Sequence, residues 1–203
     1  PIAYKQFGKL RALSTKYNDT PYKASRPWDK KRDGLVLSEG GALFLLSNTK
    51  TSDTIAEISG YAMNNDAYQV VAPHPEGKMI EKCMKDALNG CIPDLINAHA
   101  TSTPMGDYIE IDALNRLGLQ DVWVTANKSQ IGHLMGAAGA IETALSVLAL
   151  RDDVITPSLN ISEEEDGYDI KYTPITIPYE VNSVLCNSFG FGGANASILL
   201  SKT

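Results

Sequence analysis

Cysteine and basic charge are in short supply along this chain, and each shortage closes off a class of function. Its 203 residues hold three cysteines, at positions 83, 91 and 186. An odd number at those separations makes neither a disulfide framework nor a zinc motif, so a reducing, cytosol-like compartment is expected. Lysine and arginine number 18 against 24 acidic residues, and the net charge of -6 argues against binding nucleic acid through overall charge. One basic cluster, Lys23, Arg26 and Lys30-Lys31-Arg32, runs against that balance. It reads as a solvated loop, with docking of an acidic or phosphorylated partner as the alternative. No apolar run is long enough to cross a bilayer, because small residues and Glu142 interrupt the one from 134 to 150. No charged-then-apolar leader opens the chain, and Pro1 stands where an initiator methionine would. A fragment, a processed piece or a split subunit is therefore expected.

What remains is ordinary globular composition, 43% hydrophobic and 21% charged. Tyr4 to Leu13 reads as a short helix, and polar 14–33, with Pro21 and Pro27, as loop. Gly34 to Leu46 reads as a buried strand with Glu39-Gly40-Gly41 as a bulge. A Ser/Thr/Asn-rich linker at 47–54 marks a boundary, dividing the chain into 1–50 and 51–203. Beyond it, strands are expected at 55–62, 95–98, near 122, near 170, at 181–187 and at 194–200. Helices are expected at 76–89, stopped by Asn89-Gly90, at 106–117, stopped by Gly118, and at 134–150, opened by Gly132-His133. The last is apolar enough to be buried on all sides. Alternating strands and helices of this length give an α/β layered fold around a largely buried sheet.

Three places where strands run into loops carry unusual residues. His99 follows a strand and is flanked by hydroxyls. Lys128 and His133 lie on the polar turn before the long helix. The Gly190-Phe191-Gly192-Gly193 turn permits close backbone approach to a ligand, although no Lys-Ser/Thr follows it as in a phosphate-binding loop. Glu142, the only charge inside the long helix, needs a partner or must be neutral, and Lys128 is the nearest. His133 at a helix start would be held neutral by the dipole. A capped helix with a structural ion pair is the competing reading. Two neutral imidazoles donating to one oxygen would stabilise a developing enolate or alkoxide. His74, between two prolines, reads as a surface residue. No nucleophile is convincing, since none of the three cysteines has the exposed, electropositive setting of a reactive thiol.

The motifs His99-Ala-Thr-Ser-Thr103, Lys128-Ser-Gln-Ile-Gly-His133-Leu-Met-Gly-Ala-Ala-Gly139 and Asn187-Ser-Phe-Gly-Phe-Gly-Gly193 resemble those of the elongating β-ketoacyl-acyl carrier protein synthases. Ser25-Arg-Pro-Trp-Asp29 and Arg32-Asp-Gly-Leu-Val36 are similar to the same family's mid-chain loop and strand, and the likeness runs in order from about residue 9 to the end. The resemblance implies a thiolase-like fold, of which this chain matches the C-terminal half plus the end of the N-terminal half. It implies a nucleophilic cysteine upstream of Pro1, in a missing half or a companion chain. His99 and His133 would assist decarboxylation of malonyl-acyl carrier protein, with Lys128 and Glu142 setting their electrostatics. Phe191 would be a gate whose backbone N–H completes the oxyanion hole, with Gly190, Gly192 and Gly193 forming the turn. Thr101 and Thr103 would hold the pantetheine arm, and Asp107 and Glu110 would form a polar site able to hold a cation. No organic cofactor is implied. Acyl carrier protein and a dimer partner are. Ala100 departs from the family's glycine, which puts the setting of His99 in question. A non-condensing subunit like the chain-length factors is the alternative, disfavoured by retention of the histidines and lysine. A thiolase-type acyl-CoA enzyme is disfavoured by the lack of a cysteine in the Gly-rich turn.

Overall fold

Residues 2–165 and 167–203 are described in the computed structural model. Helices are α1 (Ile2–Lys9), α2 (Lys78–Leu88), α3 (Pro104–Arg116), the single turn α4 (Lys128–Ile131) and α5 (Ala138–Asp152). Strands are β1 (Ala56–Asn65), β2 (Leu95–Asn97), β3 (Trp123–Thr125), β4 (Val154–Ile155), β5 (Ile177–Pro178), β6 (Ser183–Gly190) and β7 (Ala194–Lys202). Five of them form one sheet in the order β1-β7-β6-β2-β3, while β4 and β5 make a separate ladder. β2 runs parallel to both β3 and β6, and β7 is antiparallel to β6 and β1.

The period-two alternation of the strands splits the core into two layers. Ile96, Val124, Leu185 and Leu199 join Ile80, Met84, Ile109 and Ala113 of α2 and α3 on one face. Their neighbours Leu95, Val184 and Leu200 pack with Ala149 and Leu150 of α5 on the other. A sheet covered by helices on both faces is the expected α/β arrangement. No helix among the described residues is long and apolar enough to cross a membrane.

Several local expectations change. Residues 34–46 form no strand of the sheet: Leu35 and Leu37 make single bridges to Leu13 and His133, and Leu43 and Leu45 are 99% and 98% exposed. No strand among the described residues lies beside them, and apolar periodicity alone cannot reveal a missing neighbour. The long helix begins at Ala138 rather than at His133, after a single 3-10 turn over Met135–Ala137. It is buried on one stripe only, through Ala138, Glu142, Ser146, Ala149 and Leu150. The expected strand near 170 is reduced to a bridge between Lys171 and Trp123.

The polar 14–33 segment is a loop, yet its basic cluster is not solvated throughout. Arg26, Asp29 and Arg32 are buried. Asp29 accepts from Arg26 Nε at 2.9 Å, Lys31 N at 2.8 Å and Ser162 N at 2.6 Å. Burial alone would raise its pKa, but Arg26 and these amides hold the carboxyl well below the usual range. Arg32 pairs with Glu165 and donates to Tyr168 Oη at 2.8 Å and Pro104 O at 2.6 Å. The loop is thereby strapped to residues 162–165 and to Tyr168, and Arg32 is already fully engaged.

Candidate active site

Strand ends of β2, β3 and the β6–β7 hairpin converge on one edge of the sheet, where sites form in parallel α/β arrangements. His99 lies two residues past β2 in a tight turn with Ala100 at φ +29 and Ser102 at φ +68. Buried carboxylates of α3 hold that turn. Glu110 accepts the N–H groups of His99 and Ala100, both at 2.9 Å, and Asn187 Nδ2 at 3.1 Å. Asp107 accepts Ser102 N–H and Trp28 N–H, both at 3.0 Å, with Arg32 Nε 3.6 Å away. These oxygens are committed to donors, and no group of three or more His, Cys, Asp or Glu able to hold a metal occurs among the described residues. The geometry offers Asp107 and Glu110 as clamps of this turn.

Lys128 opens α4 three residues past the end of β3, and is 1% exposed. Its Nζ forms an ion pair with Glu142 of α5 and lies 3.5 Å from His99 Nδ1. Burial pushes Glu142 up to about 7, against the pull of Lys128. The pairing expected from sequence is present, and the lysine also reaches the histidine. Asn97 Nδ2 adds bonds to Glu142 O and Ser146 Oγ, both at 2.9 Å.

His133 is positioned by a ladder to 36–38, its N–H bonding Val36 O at 2.7 Å while its carbonyl accepts Ser38 N–H at 3.0 Å. Gly132 enables this, since a Cβ there would sit 3.0 Å from Val36 O and the residue has φ +71. His99 and His133 stand edge to face, ring centroids 5.5 Å apart and planes at 86°. His133 Nδ1 accepts the Met135 N–H at 3.2 Å, so its proton belongs on Nε2. Lys128 has donors only, so His99 Nδ1 faces it as an acceptor and its proton also belongs on Nε2. Burial, then Lys128, then His133 push the His99 pKa well below its ordinary value; burial and Lys128 push His133 down to about 4. Both rings are neutral at pH 7. The cause is desolvation beside a lysine, replacing the helix-start dipole expected from sequence, because α5 starts five residues later.

Both histidines line a cavity of about 590 Å³, mostly apolar, together with Thr101, Thr103, Gly190 and Phe191. Thr101 Oγ1 and Thr103 Oγ1 are 3.0 Å apart. Gly192 and Gly193 have φ +78 and +73, and a Cβ on Gly193 would meet Asp66 Cβ at 2.8 Å, so the turn requires glycine there. Lys128 and Glu142 stand behind His99 and do not line the cavity. His74 lies apart from the histidine pair, its Nδ1 accepting Glu76 N–H at 3.2 Å. Cys186 is buried, its thiol pushed up to about 12; Cys83 is buried and raised, and Cys91 is exposed. None lines the cavity. Sequence reasoning gave no role to Phe189, 5.8 Å from the His99 ring, or to Phe7 on the cavity wall. Phe189 sits inside the 187–193 motif, which was the available signal. Phe7 offered none beyond helical spacing.

Comparison with known proteins matches residues 55–162 to the β-ketoacyl synthase C-terminal domain and residues 1–52 to the N-terminal domain of the same family. Among curated relatives, 3-oxoacyl-[acyl-carrier-protein] synthase 2 of Coxiella burnetii is 43% identical over 100% of this chain and 52% of its own length. Synthase 1 of Escherichia coli K12 is 40% identical over 97% of this chain and 50% of its own. A β-ketoacyl synthase from Burkholderia phymatum superposes with a TM-score of 0.87 at 29% identity, covering 100% of this chain and 52% of that one. A type II PKS ketosynthase in complex with its acyl-carrier protein gives 0.89 at 25%, covering 100% and 53%. The chain spans about half the length of the curated relatives it matches. The α/β fold is thus the thiolase-like one, and the chain belongs to the β-ketoacyl synthase family.

Proposed function

We propose that this chain supplies the histidine half of a ketosynthase that lengthens an acyl chain by two carbons through decarboxylative Claisen condensation. The observation that carries the reading is the pair of neutral imidazoles on one cavity, one of them backed by the Lys128–Glu142 pair. In this reading 1–50 closes the N-terminal thiolase-like half and 51–203 is the C-terminal half. The acyl group rides as a thioester on a cysteine contributed by upstream sequence or a companion chain. Malonyl carried on acyl carrier protein enters past Thr101 and Thr103. Its bond between the α-carbon and the free carboxylate breaks and carbon dioxide leaves. The electron pair moves onto the thioester oxygen, where the Nε2–H groups of His99 and His133 stabilise the enolate without transferring a proton. The enolate carbon attacks the acyl carbonyl, whose oxyanion is met by the Phe191 N–H. Its collapse expels the cysteine thiolate and leaves a β-ketoacyl chain on the carrier. Phe191 and its glycines gate the acyl side. The protein acts as a dimer in a cytosolic setting, with its free cysteines suiting a reducing compartment.

Removing one preorganised oxyanion donor costs about 100- to 1,000-fold in rate. His99→Ala in the full-length protein should therefore lose at least about 100-fold in condensation of a carrier-bound acyl and malonyl pair, with its circular dichroism retained. Unchanged turnover would reject the enzymatic reading in favour of a non-condensing scaffold subunit.

A further inference from the structure

The Gly-rich turn is gripped from two sides. On one side its backbone is tied to segment 65–70: Gly192 N–H donates to Val70 O at 2.6 Å, Asn65 Nδ2 to Gly192 O at 2.7 Å, and Asp66 N–H to Gly193 O at 2.8 Å. On the other side the ring of Phe191 stacks on Phe7 of α1, centroids 5.8 Å apart and planes 27° from parallel. Phe191 is 49% exposed, and Phe7 supplies the aromatic ring that meets it. α1 buries none of its own residues. Its placement comes from the adjoining stretch 12–14, where Leu35 N–H bonds Ala12 O at 2.8 Å and Ser14 N–H bonds Leu35 O at 3.0 Å. A surface helix thus presents one aromatic ring to the half-exposed ring on the cavity wall.

We propose that Phe7 is a positioning residue that clasps Phe191, limits the swing of the 190–193 turn, and thereby sets which acyl chains the cavity accepts. Glycines at 192 and 193 give the turn backbone freedom, the Gly190–Ala194 pair of the β6–β7 ladder closes its base, the segment 65–70 bonds hold its backbone on one side, and the aromatic pair restrains the Phe191 side of its tip. The selectivity part rests on the ketosynthase reading; the clasp itself rests on the stacked rings alone.

The test is hydrogen–deuterium exchange of residues 189–194 in the full-length protein, comparing the parent with Phe7→Ala and Phe7→Tyr. An aromatic pair of this kind holds a population ratio of about twofold to tenfold. Exchange in that segment should rise by about that factor in Phe7→Ala and return toward the parent in Phe7→Tyr, while the core strand β6 at 184–186 exchanges as before. Unchanged exchange at 189–194 in Phe7→Ala overturns the clasp, whatever the activity. In parallel, the ratio of kcat/KM for long against short acyl thioesters should shift at least about twofold in Phe7→Ala. Faster exchange with an unaltered ratio overturns the selectivity role. If the parent protein itself condenses nothing, the ketosynthase reading fails and, with it, the selectivity role, while the exchange result still decides the clasp.

Discussion

Ala100 holds φ +29 beside His99, in the region where an L residue costs about 1–2 kcal/mol. Replacing it by glycine relieves that strain but removes a buried methyl worth about 0.8 kcal/mol and loosens the unfolded chain by about 0.4–1 kcal/mol. The terms nearly cancel. Ala100→Gly should therefore move unfolding stability by less than about 1 kcal/mol, whereas the β-branched Ala100→Val should cost more than about 2 kcal/mol, both read from denaturant titration. Glu110 is less forgiving. Its two oxygens take three donors, and a glutamine would turn an amide N–H₂ toward one of them. Glu110→Gln should lose at least about 2 kcal/mol, and a stability equal to the parent's would refute the clamp. The histidines set a pH signature. His133 titrates near 4 when folded and near its ordinary value of 6.5 when unfolded. Between those values the unfolded chain binds the extra proton, so this group's contribution to stability is lost as pH falls through the window. Glu142, raised to about 7, acts with opposite sign over part of the same range. The difference isolates the imidazole: in His133→Phe the slope of stability against pH should be less positive by up to about 1.4 kcal/mol per pH unit.

At the scale of elements, the strap between 26–32 and 161–165 joins stretches more than 130 residues apart through Asp29. Removing one partner of a buried pair costs about 3–5 kcal/mol, so Asp29→Ala should destabilise by that order and open 161–165 to limited proteolysis first. This strap was invisible in the sequence, where Lys23, Arg26 and Lys30-Lys31-Arg32 read as a solvated basic loop. Strands and helices with a period were legible: α2 ends at Leu88 with Asn89 as its cap, and α3 at Arg116 with Leu117 as its cap, beside the stop residues Asn89-Gly90 and Gly118. Elements defined by a neighbour were not. The apolar stretch at 34–46 has strand composition and no strand beside it among the described residues, and α5 has apolar composition on faces this chain leaves open. The site fared similarly. His99, His133, Lys128 and Glu142 come together because local signals flagged each of them as a polar group out of place. Phe7 and Asn97 had no such signal, since an aromatic in a short helix and an asparagine in a strand look ordinary until the fold brings them to the cavity and to α5.

For the molecule as a whole, Leu43, Leu45 and Leu46 lie open, as do Ile58, Tyr61 and Met63 along edge strand β1. Exposed apolar area of this kind drives association. The chain expressed alone should bind a hydrophobic dye and self-associate in sedimentation analysis, and, in the two-half reading proposed above, joining it to an N-terminal ketosynthase half should suppress both. Dye binding that persists at full strength in the joined protein would count against the two-half reading. The sealed thiols bear on the same question. With Cys83 and Cys186 buried and Cys91 alone at the surface, alkylation of the native chain becomes a counting method with a baseline of one fast adduct. Any second rapid adduct in the assembled protein would then label a sulfur that these 203 residues do not contain, and mass mapping of its peptide would locate the nucleophile without recourse to turnover.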